Sequence, residues 1–435
     1  MKRIVFILID ILLIYGSFIF AFFLLGRYEM LDNFDRNFEA FLIVYPFIGL
    51  LYLILMYAFG SYNIYLKSLP DIVYTVFLIS VSLMIGVMGI CFFVRDVAFA
   101  FPRSVILLST LLIFILLSIK NSLYWFLNYS LRELKKIIII GSDSEKIEKI
   151  IIKNYPKYYK VVGRYKDSDS EISSKIESVD EVFILSDVHS DVREKVLQIC
   201  IKYNKEICFV PKYFDLSIIP SSLIKTGDIP TFRIYNMGLS PEELLLKRLL
   251  DIILGLIAFI VSLPIFLILA ILIKMDGGPV IYSQERLTKN NKIFKIYKFR
   301  TMIPNAEKLS GPVLAGDRDP RITPIGRFIR VVRLDELPQL INILKGDMSI
   351  VGPRPERPFF TEQFEKEIPE YRFRLKVKAG LTGLAQVEGK YNTSVDDKLR
   401  YDLIYINNYS LFRDFIIMIQ TVKILFLKES TEGVS

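Results

Sequence analysis

Asp-Ile-Ile-Leu-Gly-Leu-Ile-Ala-Phe-Ile-Val-Ser-Leu-Pro-Ile-Phe-Leu-Ile-Leu-Ala-Ile-Leu-Ile-Lys, residues 251–274, decides how this chain meets a membrane. The apolar run Ile252–Ile273 is long enough to cross a bilayer, yet two features argue against a crossing. Pro264, two residues after Ser262, removes a helix donor near the middle and predicts a break there. Lys247 and Arg248 stand before the run, while Lys274, Arg286, Lys289 and Lys292 follow it. Crossing would carry the basic segment from 274 onward to the far side, against the preference of basic loops for the cytoplasm. A bent, re-entrant helix over about 249–275 satisfies both signals and brings a water-soluble site to the headgroup level of a long-chain lipid.

Upstream, four further apolar runs lie at roughly 4–26, 39–59, 72–94 and 104–127, each near the length of a spanning helix. No small-residue cleavage site follows the first, so it reads as a span rather than a leader. Lys2 and Arg3 precede the set and Arg132, Lys135 and Lys136 follow it, which predicts cytoplasmic ends. Asp10 reads as a polar residue facing the bundle, and the spans otherwise hold almost no paired charge, which argues against a transporter. Over 135–235 the pattern changes. Short β-branched runs at 135–141, 160–164, 181–185 and 207–211 alternate with helical patterns at about 143–154 and 190–204. That alternation predicts a Rossmann-like α/β domain. Its first turn, Gly141-Ser142-Asp143-Ser144, lacks the glycines that admit a pyrophosphate, so no dinucleotide is expected.

Composition narrows the chemistry. Hydrophobic residues make up 52% of the 435, and mean hydropathy is +0.41, both high for a chain without a membrane. The net charge of +9 suits anionic lipid, cytoplasmic loops or phosphate substrates; no zinc-finger or basic-zipper spacing points to nucleic acid. Cys91, Cys200 and Cys208 form no CxxC pair, and His189 is the only histidine. Imidazole catalysis and zinc sites therefore have little to work with, which leaves carboxylates, cations and metal.

Arginines spaced through short apolar stretches recur after the bent helix, in Phe-Lys-Ile-Tyr-Lys-Phe-Arg-Thr-Met (294–302) and Gly-Arg-Phe-Ile-Arg-Val-Val-Arg (326–333). Guanidinium forks match phosphate geometry. Asp335 and Glu336 are adjacent just before a helical pattern carried by Leu337, Leu340, Ile341 and Leu344, with Pro338 suited to the first turn and Gly346 to the stop. Neighbouring helical positions point about 100° apart, so one carboxylate can attack phosphorus while the other holds Mg²⁺. Spacing alone equally permits a solvated helix start with ordinary acids. Asp317-Arg318-Asp319 invites a metal-bound nucleotide sugar, although Pro320 reads as a turn.

From Lys247 to the C-terminus these motifs resemble the bacterial sugar transferases, the monotopic phosphoglycosyl transferases. The resemblance is carried by Lys247-Arg248-x-x-Asp251, the Ser262-x-Pro264 break, Tyr-Lys-Phe-Arg-Thr-Met (297–302) and Leu-Asp-Glu-Leu-Pro-Gln (334–339). Gly-Asp-Met-Ser-x-Val-Gly-Pro-Arg-Pro (346–355) and the late Asp414 complete it. With the leading helices and the middle domain, the whole chain looks like the long polyprenyl-phosphate hexose-1-phosphate transferases. The resemblance implies a four-helix transmembrane bundle at 1–130, a Rossmann-like α/β domain at 135–235, and a catalytic α/β domain at 245–435 anchored by the re-entrant broken helix. It implies that Asp335 attacks the sugar-bearing phosphate of a UDP-sugar, releasing UMP, and that polyprenyl phosphate then takes the sugar-phosphate from the enzyme. Glu336 would bind Mg²⁺, and Lys298, Arg300, Arg333 and Arg354 would contact phosphate. The expected location is the bacterial inner membrane, multi-pass, with a cytoplasmic catalytic domain and a homodimeric assembly. Two other readings compete: a membrane scaffold of polysaccharide assembly, and a membrane-bound nucleotide-sugar dehydratase, which would need the glycine-rich loop this chain lacks.

Overall fold

The computed structural model describes residues 2–28, 33–61, 67–93, 101–131, 134–155, 158–167, 169, 171–218, 221–226, 229–233, 238–303, 319–389 and 393–425. Asp317 and Arg318 lie outside these residues. The chain divides into two compact units, Met1–Val210 and Pro211–Ser435.

The first unit opens with four apolar helices, α1 (Lys2–Arg27), α2 (Phe34–Ala58), α3 (Leu69–Phe93) and α4 (Arg103–Leu131), each long and apolar enough to cross a membrane. Aromatic rings fill their core: Phe18, Phe22 and Phe41 are buried against one another and against Phe101. Asp10 faces this interior at 1% exposure, and Lys120 of α4 donates to its carboxylate. The expectation of almost no paired charge in the spans is therefore corrected. Lys120 can sit there because its ammonium also lies 3.2 Å from the centre of the Phe6 ring.

A four-stranded parallel sheet follows, in the order β2-β1-β3-β4, built from β1 (Lys135–Ile140), β2 (Tyr159–Tyr165), β3 (Glu181–Ile184) and β4 (Glu206–Phe209). The run of isoleucines in β1 is explained by helices on both faces. Ile138 and Ile140 join Ile172, Val196 and Cys200 on one side, from α6 (Ile172–Ile176) and α7 (Ser190–Lys202). Ile137 and Ile139 join Ile151 of α5 (Ser144–Asn154) on the other.

The expected end of this domain at 235 moves back to about 210. Leu216, in α8 (Tyr213–Ile218), is 1% exposed inside the core of the second unit, with Val351, Leu399, Leu403 and Ile417. Asn407 donates to the Leu216 carbonyl at 2.9 Å and Arg400 to the Pro211 carbonyl at 3.1 Å. An antiparallel hairpin follows, β5 (Ser222–Thr226) and β6 (Ile229–Arg233).

The second unit then runs through helix α9 (Pro241–Met275), begun by a Ser240–Glu243 capping box. At 1.5 Å per residue it is about 50 Å long. The helix runs on through Pro264, which removes one backbone donor, and the Ser262 hydroxyl donates to the Phe259 carbonyl at 3.0 Å. One stripe, Lys247, Asp251, Gly255, Ser262, Leu269 and Ile273, is buried at spacings that keep it on a single face, and Phe259 and Phe266 pack within it. The other face is apolar and exposed, with Val261 72% accessible. An antiparallel hairpin, β7 (Ile281–Thr288) and β8 (Lys292–Phe299), packs beneath the stripe with α10 (Pro324–Val331) and α11 (Gln339–Lys345). Parallel β9 (Ser349–Val351) and β10 (Gly380–Thr382), α12 (Pro358–Glu367), α13 (Leu384–Glu388), α14 (Val395–Asn407) and α15 (Leu411–Leu425) complete the unit.

Candidate active site

Lys247, Arg248 and Asp251 lie on α9 and each stitches a different element to it. Lys247, buried, donates to Asp414 of α15, whose other carboxylate oxygen accepts from Tyr405 at 2.8 Å. Arg248 donates to the carbonyls of Ile343 and Leu344 at 2.6 and 2.8 Å, closing the C-terminus of α11. Asp251 accepts from the Ser349 hydroxyl at 3.0 Å and the Ile350 amide at 2.9 Å, which fixes β9. The Lys-Arg-x-x-Asp pattern is thus a positioning device: α11 follows directly on the turn that carries the carboxylate pair, and β9 leads into Arg354.

Asp335 and Glu336 sit in a 3-10 turn, Leu334–Glu336, entered through Arg333 in the left-handed region (φ 54°) and followed by α11. Pro338 caps that helix one position earlier than the sequence suggests. Asn342, fully buried, accepts from the Tyr297 amide at 3.0 Å and donates to the Lys295 carbonyl at 2.8 Å. It thereby locks α11 against β8. Along β8, alternate residues Phe294, Ile296 and Lys298 share one face, so the lysine is the last side chain of the strand on that face. Its ammonium donates to Glu336 Oε1 at 2.9 Å and lies 3.8 Å from Asp335 Oδ2.

Arg354 arrives from the opposite side and donates to the same Glu336 oxygen at 3.1 Å. Glycines make that approach possible. A Cβ on Gly380 would lie 2.1 Å from the Gly352 nitrogen, and one on Gly383 2.2 Å from the Gly352 carbonyl, so the Gly-Pro-Arg-Pro and Gly-Leu-Thr-Gly backbones touch. Arg374, ion-paired with Asp402 at 2.8 Å, donates to the Arg354 carbonyl at 2.9 Å from behind.

The two carboxyls are driven apart. Burial pushes Asp335 up, reinforced by the like charge of Glu336 and opposed by Lys298, Arg330 and Arg354. Burial acts on Glu336 too, but Lys298, Arg354 and Arg333 outweigh it and hold that carboxyl well below the usual range. The result is one strongly anchored anion beside a carboxylate with a more basic oxygen, a division that suits one group to positioning and the other to attack.

Of the residues singled out by sequence, Asp335, Glu336, Lys298 and Arg354 converge, and the charge of Arg333 acts on Glu336. Arg300 does not join them, and its expected phosphate contact is corrected. It is 6% exposed and donates to the carbonyls of Ile273 and Gly277, of Pro279 at 2.8 Å and of Met302 at 3.4 Å, capping the end of α9. Asp319 is held by Arg321 through its backbone and guanidinium, and its carboxyl falls to about 2. Ser262 and Pro264 lie within α9. Sequence reasoning passed over Arg330, whose Nε donates to Thr301 at 2.8 Å, and over Arg286 and Gln339, which line the cleft beside Glu336. Arg330 stands three residues before Arg333 in a run already noted for its arginines. Gln339 carried no chemical signal beyond its place in the motif.

Among the described residues no three or more His, Cys, Asp or Glu side chains cluster as a metal site. Asp335 and Glu336 nevertheless offer the hard oxygen donors that Mg²⁺ takes, and Mg²⁺ is ordinarily completed by substrate phosphates. Glu336 Oε1 is engaged by Lys298 and Arg354, which leaves Oε2 and Asp335 as the ligands on offer.

A model of the bacterial sugar transferase family matches residues 242–428. A Bacillus subtilis protein provisionally named as an undecaprenyl-phosphate N-acetylgalactosaminyl 1-phosphate transferase is 55% identical over 147 residues, 33% of this chain and 82% of the relative. The UDP-N-acetylgalactosamine-undecaprenyl-phosphate N-acetylgalactosaminephosphotransferase of Aeromonas hydrophila is 45% identical over 188 residues, 42% of this chain and 44% of the relative. The undecaprenyl-phosphate galactose phosphotransferase of Salmonella typhimurium is 34% identical over 241 residues, 52% of this chain and 50% of the relative. The chain thus spans about half the length of the latter two. With the motifs built into one cleft and 82% of the Bacillus relative covered, this chain belongs to the bacterial sugar transferase family.

Proposed function

We propose that the protein transfers a hexose-1-phosphate from a UDP-sugar to undecaprenyl phosphate at the bacterial inner membrane, the first membrane step of capsule, exopolysaccharide or O-antigen assembly. The observation that carries this is the Asp335–Glu336 pair, with Lys298 and Arg354 on the second carboxylate and the first 3.8 Å from the same Lys298 ammonium. Asp335 attacks the sugar-bearing phosphorus; the bond from that phosphorus to the bridging oxygen breaks, and UMP leaves with the electron pair. An oxygen of undecaprenyl phosphate then attacks the aspartyl sugar-phosphate and returns the Asp335 carboxylate. Lys298, Arg330 and Arg354 hold phosphate oxygens and offset their charge as the transition state forms. Mg²⁺ bound at Glu336 Oε2 and Asp335 would neutralise diphosphate charge.

The exposed apolar face of α9 supports a helix that dips into one leaflet, because its buried stripe ties it along its length to a domain carrying charged side chains. A crossing would drag that domain into the bilayer, so the re-entrant geometry and a cytoplasmic catalytic domain belong to the same proposal. Homodimerisation belongs to it too, supported by apolar surface outside the spans such as Ile201, 70% exposed. The middle α/β domain has no dinucleotide role in this reading.

The test is UMP release from a panel of UDP-sugars by protein with undecaprenyl phosphate and Mg²⁺. UDP-N-acetylgalactosamine stands first in the panel because identity is higher to the relatives named for it than to the galactose enzyme; UDP-galactose and UDP-glucose follow. Release with one donor, dependent on Mg²⁺ and lost in Asp335→Asn, supports the proposal. No UMP from any donor, in folded protein, moves the scaffold reading to the front.

A further inference from the structure

Two polar side chains that line the active-site cleft, Gln339 and Arg286, carry donors without a protein partner among the described residues. Gln339 is 2% exposed and lines the cleft, and its amide has no hydrogen-bond partner among the described residues. Arg286 donates through Nη1 to the Pro355 carbonyl at 3.2 Å and through Nη2 to Gln284 at 2.7 Å, but its buried Nε has no partner. Buried donors of this kind are rare in folded proteins and signal a ligand or water that completes them.

Both side chains line the same cleft. The cleft has about 20 Å³, bounded by Glu336, Lys298 and Arg354 on its charged side and by Ile296 and Leu381 on its apolar side. That volume takes about one water-sized atom, too little for a sugar or a base but enough for a single phosphate oxygen. Gln339 follows Asp335 by four residues and Glu336 by three, which puts it on their side of the helix start, one turn further in. The apolar walls strengthen any hydrogen bond made there.

We propose that Gln339 and Arg286 bind the nucleotide-side phosphate of the donor, the group that leaves as UMP, through one anionic oxygen held between the Gln339 amide N–H and the Arg286 guanidinium. This rests on the UDP-sugar reading above. The chemistry requires donors at that point: when the bond to the bridging oxygen breaks, charge builds on the leaving phosphate, and Lys298 and Arg354, beside the carboxylates, serve the sugar-bearing phosphate under attack. A neutral amide and a guanidinium supply donors without adding a further carboxylate to repel the anion.

The experiment is calorimetric titration of the detergent-solubilised full chain with UMP and, separately, with uridine, for the native protein, Gln339→Glu and Gln339→Met, beside thermal unfolding of each. UMP affinity is expected to fall at least about tenfold in Gln339→Glu and about threefold or more in Gln339→Met, as expected for losing a hydrogen bond to a charged group. Uridine affinity should not change, and the unfolding temperature of Gln339→Met should hold or rise, since the variant removes an unsatisfied amide. UMP binding unchanged in both variants, while the native protein binds it, would overturn the inference. An equal loss for uridine and UMP would also overturn it, by moving the contact to the base. Native protein that binds neither UMP nor a UDP-sugar would sink the UDP-sugar reading itself, a separate failure.

Discussion

Two turns in this chain lie where a phosphate could be held, and they treat an anion in opposite ways. After β1, the turn Gly141-Ser142 leads into α5, and Gly141 takes φ 138° with Leu185 and Asp187 packed where a Cβ would stand. The Ser142 amide, which a pyrophosphate would use, donates instead to the Asp187 carboxylate at 2.6 Å. After α10, the turn at Asp335 presents the Glu336 carboxylate to a cleft lined by Lys298, Arg354 and Arg286, where the Arg286 Nε has no protein partner. A strand-turn-helix in the first case is closed by its own acid; a short irregular turn in the second is kept open by surrounding cations. What distinguishes a phosphate site is therefore donors left without a protein partner, rather than the presence of a helix start.

The sharpest break of this contrast separates two arginines within the second unit. Arg354→Ala is expected to lower kcat/KM for UMP release by about 10²-fold or more, the scale of a lost charge-assisted contact in a transition state, with thermal unfolding little changed. Arg300→Ala should do the reverse: it leaves the Ile273, Gly277 and Pro279 carbonyls without their donor and is expected to destabilise the unit by about 2–4 kcal/mol, read as a lower unfolding temperature, while kcat/KM per folded molecule holds. Loss of activity without loss of stability in Arg300→Ala would contradict the assignment of that residue as a helix cap.

A smaller effect concerns pH. The attacking carboxylate must be ionised, and burial raises Asp335, so activity should be present above its folded pKa and fall as pH drops through it. The acid limb of kcat/KM then lies above the ordinary aspartate value. Because Lys298 lowers Asp335, Lys298→Met should move that limb upward. A limb that moves down, or stays put while activity remains measurable, would deny Lys298 its electrostatic role. The least effect is expected in the middle domain. NAD at millimolar concentration should leave the unfolding temperature of the native protein unchanged, since the Asp187 carboxylate occupies the Ser142 amide. A clear rise on adding NAD would show that this turn opens.

Periodicity and length revealed the four apolar helices and the β–α alternation because each such element is decided by its own residues: the isoleucines of β1 report burial on both faces without reference to anything distant. The pair Asp335-Glu336 stood out because two adjacent acids before an apolar helix are chemically conspicuous. Arg300 misled because its motif, Lys-Phe-Arg, looks the same whether the guanidinium meets phosphate or carbonyls; the deciding partners at 273, 277 and 279 are more than twenty residues away. The end of the middle domain at 210 was hidden for the same reason, since Leu216 joins a core assembled from residues beyond 350. Pro264 predicts a lost donor correctly, but whether a helix stops there depends on what holds both halves, and here one buried stripe does.

The most direct test of the central claim is the mass of the intact protein after incubation with its UDP-sugar and Mg²⁺ in the absence of polyprenyl phosphate. A gain of one sugar-phosphate, mapped to the peptide bearing Asp335, absent in Asp335→Asn and discharged on adding undecaprenyl phosphate, is the predicted result. Turnover with the lipid present, but no adduct and no UMP without it, would contradict the account and require the lipid phosphate to attack the donor directly.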